Sequence, residues 1–287
     1  MTKHSLITLT AAGLASLAVA APASADTLLA PDAAAKNVAT GGGVTAWVTP
    51  EGDGFRLVVR TADGTVSTPD IPAFATAPDP TIGSTGQAAA GFDARRVLVL
   101  YAREDSSGDS DIYAFDPRTG TERAVPGLSS ARYDETAAAM AYGRFAVVRS
   151  GGKVNGVVTG TLGRSRVHRV SRSIASEIAF NGSRVAYVSR QGITIKRASG
   201  QGRALRIGAS NPTSLNLTRY QAVWLDQGEL RMTQRFAGSG GPYRLVVKSA
   251  PRQPAGITSV AVGASTNDAI FTDAEGVKKA NPRLFIA

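Results

Sequence analysis

One short pattern recurs six times along this chain of 287 residues: an apolar strand with a bulky or branched residue at its centre. The clearest copy lies in the stretch 176–208, where residues 185–188 form such a strand between two turns. Successive centres are roughly 37 to 52 residues apart, close to the ~40–50-residue period of repeats that each form one small sheet. The centres are Trp47, Val99, Val147, Tyr187, Trp224 and Phe271.

A second landmark, a turn with glycine or Asn-Pro, follows the third strand of each copy. Glycine suits tight hairpins because they often require a positive φ, which a Cβ atom disfavours. The turns are Asp63-Gly64, Thr119-Gly120, Leu162-Gly163, Ser199-Gly200, Ser239-Gly240 and Asn281-Pro282. Between the landmarks the strands are short and rich in Val, Ile, Tyr and Thr, and no amphipathic helix is evident. The sequence therefore predicts an all-β fold, a β-propeller of six blades with four antiparallel strands each.

Two details of this propeller are predicted less directly. The alanine-rich segments 88–90 and 137–141 resemble helix, but each precedes a second strand, and we interpret them as first strands packed near the axis. The ring can close in two ways, because either residues 283–286 or residues 27–29 can complete the sixth blade. Closure by either segment protects sheet edges that would otherwise invite aggregation.

The first 25 residues have the pattern of a secretory signal peptide: a basic start, an apolar run and a small-residue end at residues 23–25. We expect residues 26–287 to form a single propeller domain that is secreted or held in the cell envelope. No second apolar run approaches the ~20 residues that a membrane-spanning helix needs. The chain has no cysteine, so its core must hold the fold together without disulfides.

Two segments carry a family resemblance. Residues 110–125 (SDIYAFDPRTGTERAV) and 181–188 (NGSRVAYV) resemble blades of the TolB-like six-bladed propellers, in which an Asp-Gly turn precedes the second strand. Asn181-Gly182 stands at the position of that turn. The resemblance implies the fold and a role in recognition or as a scaffold, and it carries over no catalytic residue.

Charge divides the chain unevenly. Residues 26–135 contain 9 basic and 16 acidic residues, whereas residues 136–225 contain 14 basic residues and one acid, Glu177. A basic side of this kind attracts polyanions, and we predict an acidic protein or an anionic cell-wall polymer as the partner rather than nucleic acid. A solvated face that keeps the protein soluble is the alternative. The predicted binding residues are Arg184, Arg190, Lys196, Arg197, Arg203 and Arg206.

The sequence offers few residues that could act in catalysis or bind a metal ion. His168 is the one histidine beyond the signal segment, so a His/Cys zinc site is not expected, and we interpret His168 as a surface residue. No G-x-S-x-G motif is present, and we predict no cofactor and no catalytic residue. Paired carboxylates, such as Asp134 with Glu135 or with Asp93, leave a carbohydrate-cleaving hydrolase or lyase as the alternative function. The acidic segment 104–111 offers oxygen ligands for Ca²⁺, but a solvated loop is the default.

The aromatic residues divide into two groups. Trp47, Tyr187, Trp224 and Phe271 recur at equivalent positions, which predicts packing between blades rather than a platform for sugars. Tyr133 and Tyr142 lie near the ends of inner strands and are the better candidates for a surface contact. We therefore predict a non-catalytic binding or scaffold module.

Overall fold

The computed structural model describes residues 26–105, 107–233, 246–263 and 269–281. Within these ranges all regular secondary structure is β, arranged as six sheets of four antiparallel strands. The first strand of each sheet contacts the first strands of its two neighbours, and these contacts run around a complete ring. The chain is a six-bladed β-propeller, as the repeat predicts.

Strands are named in chain order and each blade is given from the axis outward. Blade 1 contains β2 Lys36–Gly41, β3 Val44–Glu51, β4 Gly54–Arg60 and β5 Val66–Ser67. Blade 2 contains β6 Thr81–Ser84, β7 Val97–Glu104, β8 Ser110–Asp116 and β9 Thr121–Ala124. Blade 3 contains β10 Asp134–Ala141, β11 Arg144–Ser150, β12 Gly156–Thr161 and β13 His168–Ser171.

The second half of the ring follows the same plan. Blade 4 contains β14 Ile178–Phe180, β15 Arg184–Ser189, β16 Gly192–Arg197 and β17 Leu205–Ile207. Blade 5 contains β18 Pro212–Leu217, β19 Ala222–Asp226, β20 Glu229–Thr233 and β21 Val247–Ser249. Blade 6 contains β22 Ser259–Val262, β23 Ala269–Asp273, β24 Gly276–Lys279 and, from the other end of the chain, β1 Thr27–Ala30.

The six predicted centres all lie on second strands and are buried. A second strand is covered on both sides by neighbouring blades, so it reads as a continuous apolar run rather than an alternating one. Each centre belongs to a separate apolar cluster between its own blade and the preceding one. Trp47 and Trp224 are each only 1% exposed, which confirms that these aromatics pack between blades.

The N-terminal strand closes the ring. β1 pairs antiparallel with β24, with Thr27 opposite Lys279 and Leu28 opposite Lys278. The Asp26 carboxylate fastens this junction, because it accepts the backbone N–H of Asn281 and pairs with the Arg252 guanidinium. Of the two predicted closures, the structure shows the one made by residues 27–29. Residues 283–286 lie outside the described residues.

Of the predictions for the two alanine-rich segments, one is confirmed and the other is wrong. Residues 137–141 lie in β10, the first strand of blade 3, as predicted. The prediction for residues 88–90 is wrong, because β6 ends at Ser84 and these alanines lie in the connection to β7. The connection turns sharply, with positive φ at Gly86, Ala90 and Gly91, and a strand cannot continue through such turns.

The two ends of the ring carry different connections. The hairpin face is the end where the first and second strands of each blade meet, and it carries the turns Gly42-Gly43 and Tyr142-Gly143. The crossover face is the opposite end, where the chain passes from one blade to the next, and it carries Asp79, Glu135 and Glu177. Each candidate site described below lies on or near one of these two faces.

Candidate functional site

A funnel of about 580 Å³ opens on the hairpin face around the propeller axis. Its size suits a small ligand, since binding pockets commonly measure about 300–1,000 Å³. All six blades contribute to its wall, which combines apolar, hydroxyl and amide groups with two aromatic rings and one cation. The polar and aromatic residues are Thr40, Ser84, Tyr142, Phe180, Asn181, Ser183, Thr218 and Arg219.

The funnel wall is positively charged. Arg219 is exposed and its guanidinium lies 5.5 Å from the centre of the Tyr220 ring, a contact that orients the charge. No Asp or Glu is among the described residues of the wall. The described part of the wall is therefore suited to an anion, and no pair of carboxylates of the kind that glycosidases use is among its residues.

Asn181 builds the funnel rim. Its Oδ1 accepts the backbone N–H groups of Ser183 and Arg184, which forms the turn between β14 and β15. Its Nδ2 donates to the Thr218 carbonyl of blade 5 at 2.8 Å. An Asp could form the same turn, but it could not donate this second bond. The asparagine therefore joins two blades at the rim.

Three of the six predicted binding residues lie together on the hairpin face. Arg184 and Arg197 stand directly opposite each other in the β15–β16 pair, and Arg203 follows in the turn between β16 and β17. Like charges at directly opposed positions destabilise a sheet. Their concentration at one end of blade 4 therefore gives this face a strong positive potential at a cost in stability.

The other three predicted residues lie apart from this group. Arg190 lies in the hairpin between β15 and β16, on the crossover face. Arg206 lies on the outer strand β17, opposite Thr194. The Lys196 ammonium donates to the Val170 carbonyl of blade 3 at 2.9 Å, so it joins two blades. Neighbours in sequence are separated here because successive hairpins of a blade point to opposite ends of the ring.

Further arginines extend the positive group on the hairpin face. Arg144 begins β11 and its guanidinium donates to the Gly182 carbonyl in the rim. Arg164 and Arg166 are exposed in the turn between β12 and β13. We use the name basic rim for the hairpin-face residues Arg144, Arg164, Arg166, Arg184, Arg197, Arg203 and Arg219.

A narrower channel of about 90 Å³ continues along the axis from the funnel toward the crossover face. Asp79 lines this channel and is partly exposed to solvent there. The protein atoms around its carboxyl group nevertheless reduce the hydration of that group. This desolvation and the nearby charge of Glu177 raise the pKa of Asp79 to about 7. Burial also raises the pKa of Glu177, whose Oε2 accepts the Leu215 N–H at 2.8 Å.

A buried ionic cluster joins blades 2 and 3 on the crossover face. The Glu135 side chain is completely buried, and its Oε1 accepts a 2.9 Å bond from Arg149 Nε. Its Oε2 and the Asp111 Oδ1 are buried without a hydrogen-bond partner among the described residues. Burial raises the pKa of Glu135 to about 7 although Arg149 opposes this shift. The Arg149 guanidinium also lies 5.0 Å from the centre of the Tyr133 ring, so this tyrosine contributes to the cluster.

The described residues of the acidic segment 104–111 lie in the connection between β7 and β8 and at the adjoining strand ends. Asp105 Oδ1 accepts bonds from the Ser107 hydroxyl and from the N–H groups of Ser107 and Asp109. The carboxylate therefore builds its own turn. In the part of the chain that the structure describes, no three acidic, histidine or cysteine side chains are grouped to hold a metal ion. His168 is exposed on the outer strand β13, in agreement with its interpretation as a surface residue.

Comparisons with known proteins show the fold. No model of a protein family matches the sequence, and no curated protein matches it significantly. A gluconolactonase from Xanthomonas campestris has a similar structure, with a TM-score of 0.56 and 12% identity over 87% of this chain and 86% of that one. An α-L-arabinofuranosidase from Fusarium graminearum aligns with a TM-score of 0.54 and 12% identity, over 86% and 92% of the two chains.

TolB from Acinetobacter baumannii aligns with a TM-score of 0.49 and 14% identity, over 69% of this chain and 51% of that chain. The ring of six four-stranded sheets and the similar solved structures place this chain in the class of six-bladed β-propellers. Of the residues described, none forms a helix of the length and apolarity required to cross a membrane.

Proposed function

We propose that this propeller is a non-catalytic recognition module that binds an anionic partner through the basic rim. The observation that carries the proposal is the funnel wall, whose described residues include Arg219 and no acid, at the centre of a face where blades 3, 4 and 5 present arginines. An anionic cell-wall polymer or an acidic protein surface supplies the complementary charge. The signal-like residues 1–25, which lie outside the described residues, support a location outside the cytoplasm.

The basic rim favours binding over solvation alone because it is concentrated on one face. Residues 136–225 contain a single acid, Glu177, and that carboxylate lies near the axis channel rather than on the rim. The acids of blades 3, 4 and 5 lie at or beside the crossover ends of their strands, away from the rim; they are Asp134, Glu135, Glu177, Asp226 and Glu229. Such a surface raises the local concentration of polyanions and steers their approach.

The test is binding of the purified protein to polygalacturonate, a polymer with a carboxylate on each sugar, over a salt series. We expect binding that weakens steeply as salt rises, because exposed charges are screened within about 10 Å at 0.1 M salt. Arg184→Gln with Arg197→Gln should weaken binding. Arg190→Gln with Arg206→Gln removes the same charge from other surfaces and should leave binding nearly unchanged. Equal losses in both double variants would reject a specific rim.

A carbohydrate-cleaving enzyme is the second candidate, and Asp79 with Glu177 favours it. Two carboxyl groups with raised pKa values near one channel are the residue types that general acid–base catalysis uses. The channel, however, has room for only a few water molecules at about 90 Å³. Release of reducing sugar from polygalacturonate, lost on Asp79→Asn, would establish this second function. Binding without any such release supports the recognition module.

A further inference from the structure

We propose that the funnel binds a single sugar residue that carries a carboxylate, with Tyr142 as its stacking surface and Arg219 as the partner of its charge. The inference rests on the proposed function and deepens it: the basic rim attracts the polymer, and the funnel recognises one unit of it.

Tyr142 adopts a conformation that bulky residues rarely adopt. Its φ is +53° and that of Gly143 is +72°, which corresponds to the tight hairpin turn with two positive φ values. Such turns favour Asn-Gly, Asp-Gly or Gly-Gly. The equivalent turn of blade 1 is Gly42-Gly43, with φ of +58° and +81°. A tyrosine therefore occupies a position where the fold favours glycine or asparagine.

Core packing does not explain the tyrosine. Its side chain is 72% exposed, the highest value among the large hydrophobic residues that the structure describes as exposed. An unfavourable backbone conformation that no burial compensates is characteristic of functional positions. The exposed ring lines the funnel, so a ligand in the funnel can contact it.

The neighbouring blade fixes the backbone of the turn that carries Tyr142. Ser84 Oγ accepts the Tyr142 N–H at 3.2 Å, and the Ser84 carbonyl accepts the Gly143 N–H at 2.7 Å. A Cβ atom at Gly86 would lie only 2.7 Å from the Tyr142 carbonyl oxygen, so the backbones are in close contact. The turn is therefore positioned before a ligand arrives, which reduces the ordering cost of binding.

The wall supplies complementary groups for a charged sugar. Aromatic rings offer an apolar face that packs against the C–H groups of a sugar ring, and a tyrosine adds a hydroxyl. The Ser84 hydroxyl accepts from the backbone and keeps its own O–H to donate. Arg219 presents a planar guanidinium that matches a carboxylate with two parallel bonds. A neutral sugar would use the ring and leave the arginine unmatched.

The experiment is a titration of the purified protein with glucuronate, glucose and acetate, followed by NMR. The wild type should bind glucuronate about tenfold more tightly than glucose, since a charged hydrogen-bonded pair contributes about that factor. Acetate should bind weakly because it cannot contact the ring. Tyr142→Asn should weaken glucuronate and glucose alike by about tenfold, while Tyr142→Phe should retain most of the affinity. Arg219→Gln should remove only the preference for glucuronate.

The outcomes separate this inference from the proposed function. Unchanged glucuronate binding in Tyr142→Asn, or an unchanged preference in Arg219→Gln, overturns the assignment of the funnel. Acetate binding as tight as that of glucuronate overturns it as well, because the sugar would then contribute nothing. If only polygalacturonate binds, in a manner that depends on Arg184 and Arg197, the basic rim functions and the funnel assignment fails. If only glucuronate binds, the proposal for the rim fails.

Discussion

Tyr142 combines a side chain that we expect to contact a ligand with a backbone conformation that lowers the stability of the fold. Its turn requires two positive φ values, and asparagine reaches this conformation at a lower cost than tyrosine. Because the ring is largely exposed, its removal forfeits little packing. Substitution of Tyr142 should therefore raise the stability of the fold and lower the affinity of the funnel for its ligand.

We predict that Tyr142→Asn raises the free energy of unfolding by about 1 kcal/mol, the lower end of the cost of a strained backbone position. Urea denaturation followed by circular dichroism measures the change. Tyr220→Asn is a suitable comparison, because Tyr220 is another exposed tyrosine of the hairpin face and lies outside the positive-φ positions. A loss of stability in Tyr142→Asn greater than that in Tyr220→Asn would contradict the strain argument.

Glu135 makes the stability of the protein depend on pH. Burial raises the pKa of its carboxyl from an ordinary value of 4.5 to about 7, so the folded state favours the protonated form. This contribution is complete below about pH 4.5 and is lost as the pH rises through 7. The wild type should therefore lose stability across this window, by up to about 3 kcal/mol from this group.

We predict that Glu135→Gln removes much of this loss. The amide oxygen can still accept from Arg149, and a neutral amide removes the repulsion between the carboxylates of residue 135 and Asp111. The variant should be more stable than the wild type at pH 8 and similar at pH 4.5, as measured by urea midpoints. Asp134→Asn, at the neighbouring position, is the control. Parallel pH profiles for wild type and Glu135→Gln would refute the role of this carboxyl.

The residue types of the sequence indicate a basic stretch, but they do not show on which face of the propeller each basic residue lies. The sequence singled out the basic stretch and Tyr142, yet only Arg184, Arg197 and Arg203 of the predicted set lie together. A strand runs from one face to the other, so Arg184 and Arg190, six positions apart, lie at opposite ends of blade 4. Asp79 and Glu177 are nearly a hundred residues apart, and only the closed ring brings them near one axis.

At the scale of strands, the closing pair β1–β24 is the critical element. Gly276 begins β24 with φ +135°, and a Cβ atom there would overlap the Ala30 carbonyl oxygen and lie 2.7 Å from the Asp32 amide nitrogen. The glycine thus permits the N-terminal strand to lie against the last blade. Gly52 has φ +55° and no atom within 4 Å of the same hypothetical Cβ.

We predict that Gly276→Ala destabilises the protein by about 2–4 kcal/mol, from backbone strain and steric overlap together. Gly52→Ala should cost only about 1 kcal/mol, because it introduces strain without overlap. Denaturant midpoints give both values, and hydrogen exchange at residues 27–30 reports the closing strand itself. Equal costs for the two variants would show that the closing contact does not limit stability.

The strands that could be predicted from the sequence are those with the least ambiguous environment. Second strands are covered on both sides, so their apolar runs are evident in the sequence, and all six centres were identified. First strands mix small with polar residues, and β6 has only four residues, which explains why the prediction for residues 88–90 is wrong. Closure by residues 27–29 remained one of two alternatives, because pairing between chain ends leaves no local pattern.

At the scale of the molecule, the ring separates opposite charges along one axis. The narrow channel near the crossover face contains Asp79, whereas the wide funnel on the hairpin face contains Arg219 and is surrounded by arginines. An anionic ligand is therefore favoured at one end of the axis and disfavoured at the other. This polarity follows from the closed fold, and neither half of the sequence contains it alone.

The most direct test of the central claim is the affinity for polygalacturonate of the two charge-matched double variants over a salt series. Binding through the basic rim predicts that Arg184→Gln with Arg197→Gln loses about tenfold or more in affinity at low salt and has a shallower salt dependence. Arg190→Gln with Arg206→Gln should follow the wild-type curve. If the two variants give the same curve, or if wild-type binding is insensitive to salt, the basic rim is not the binding surface.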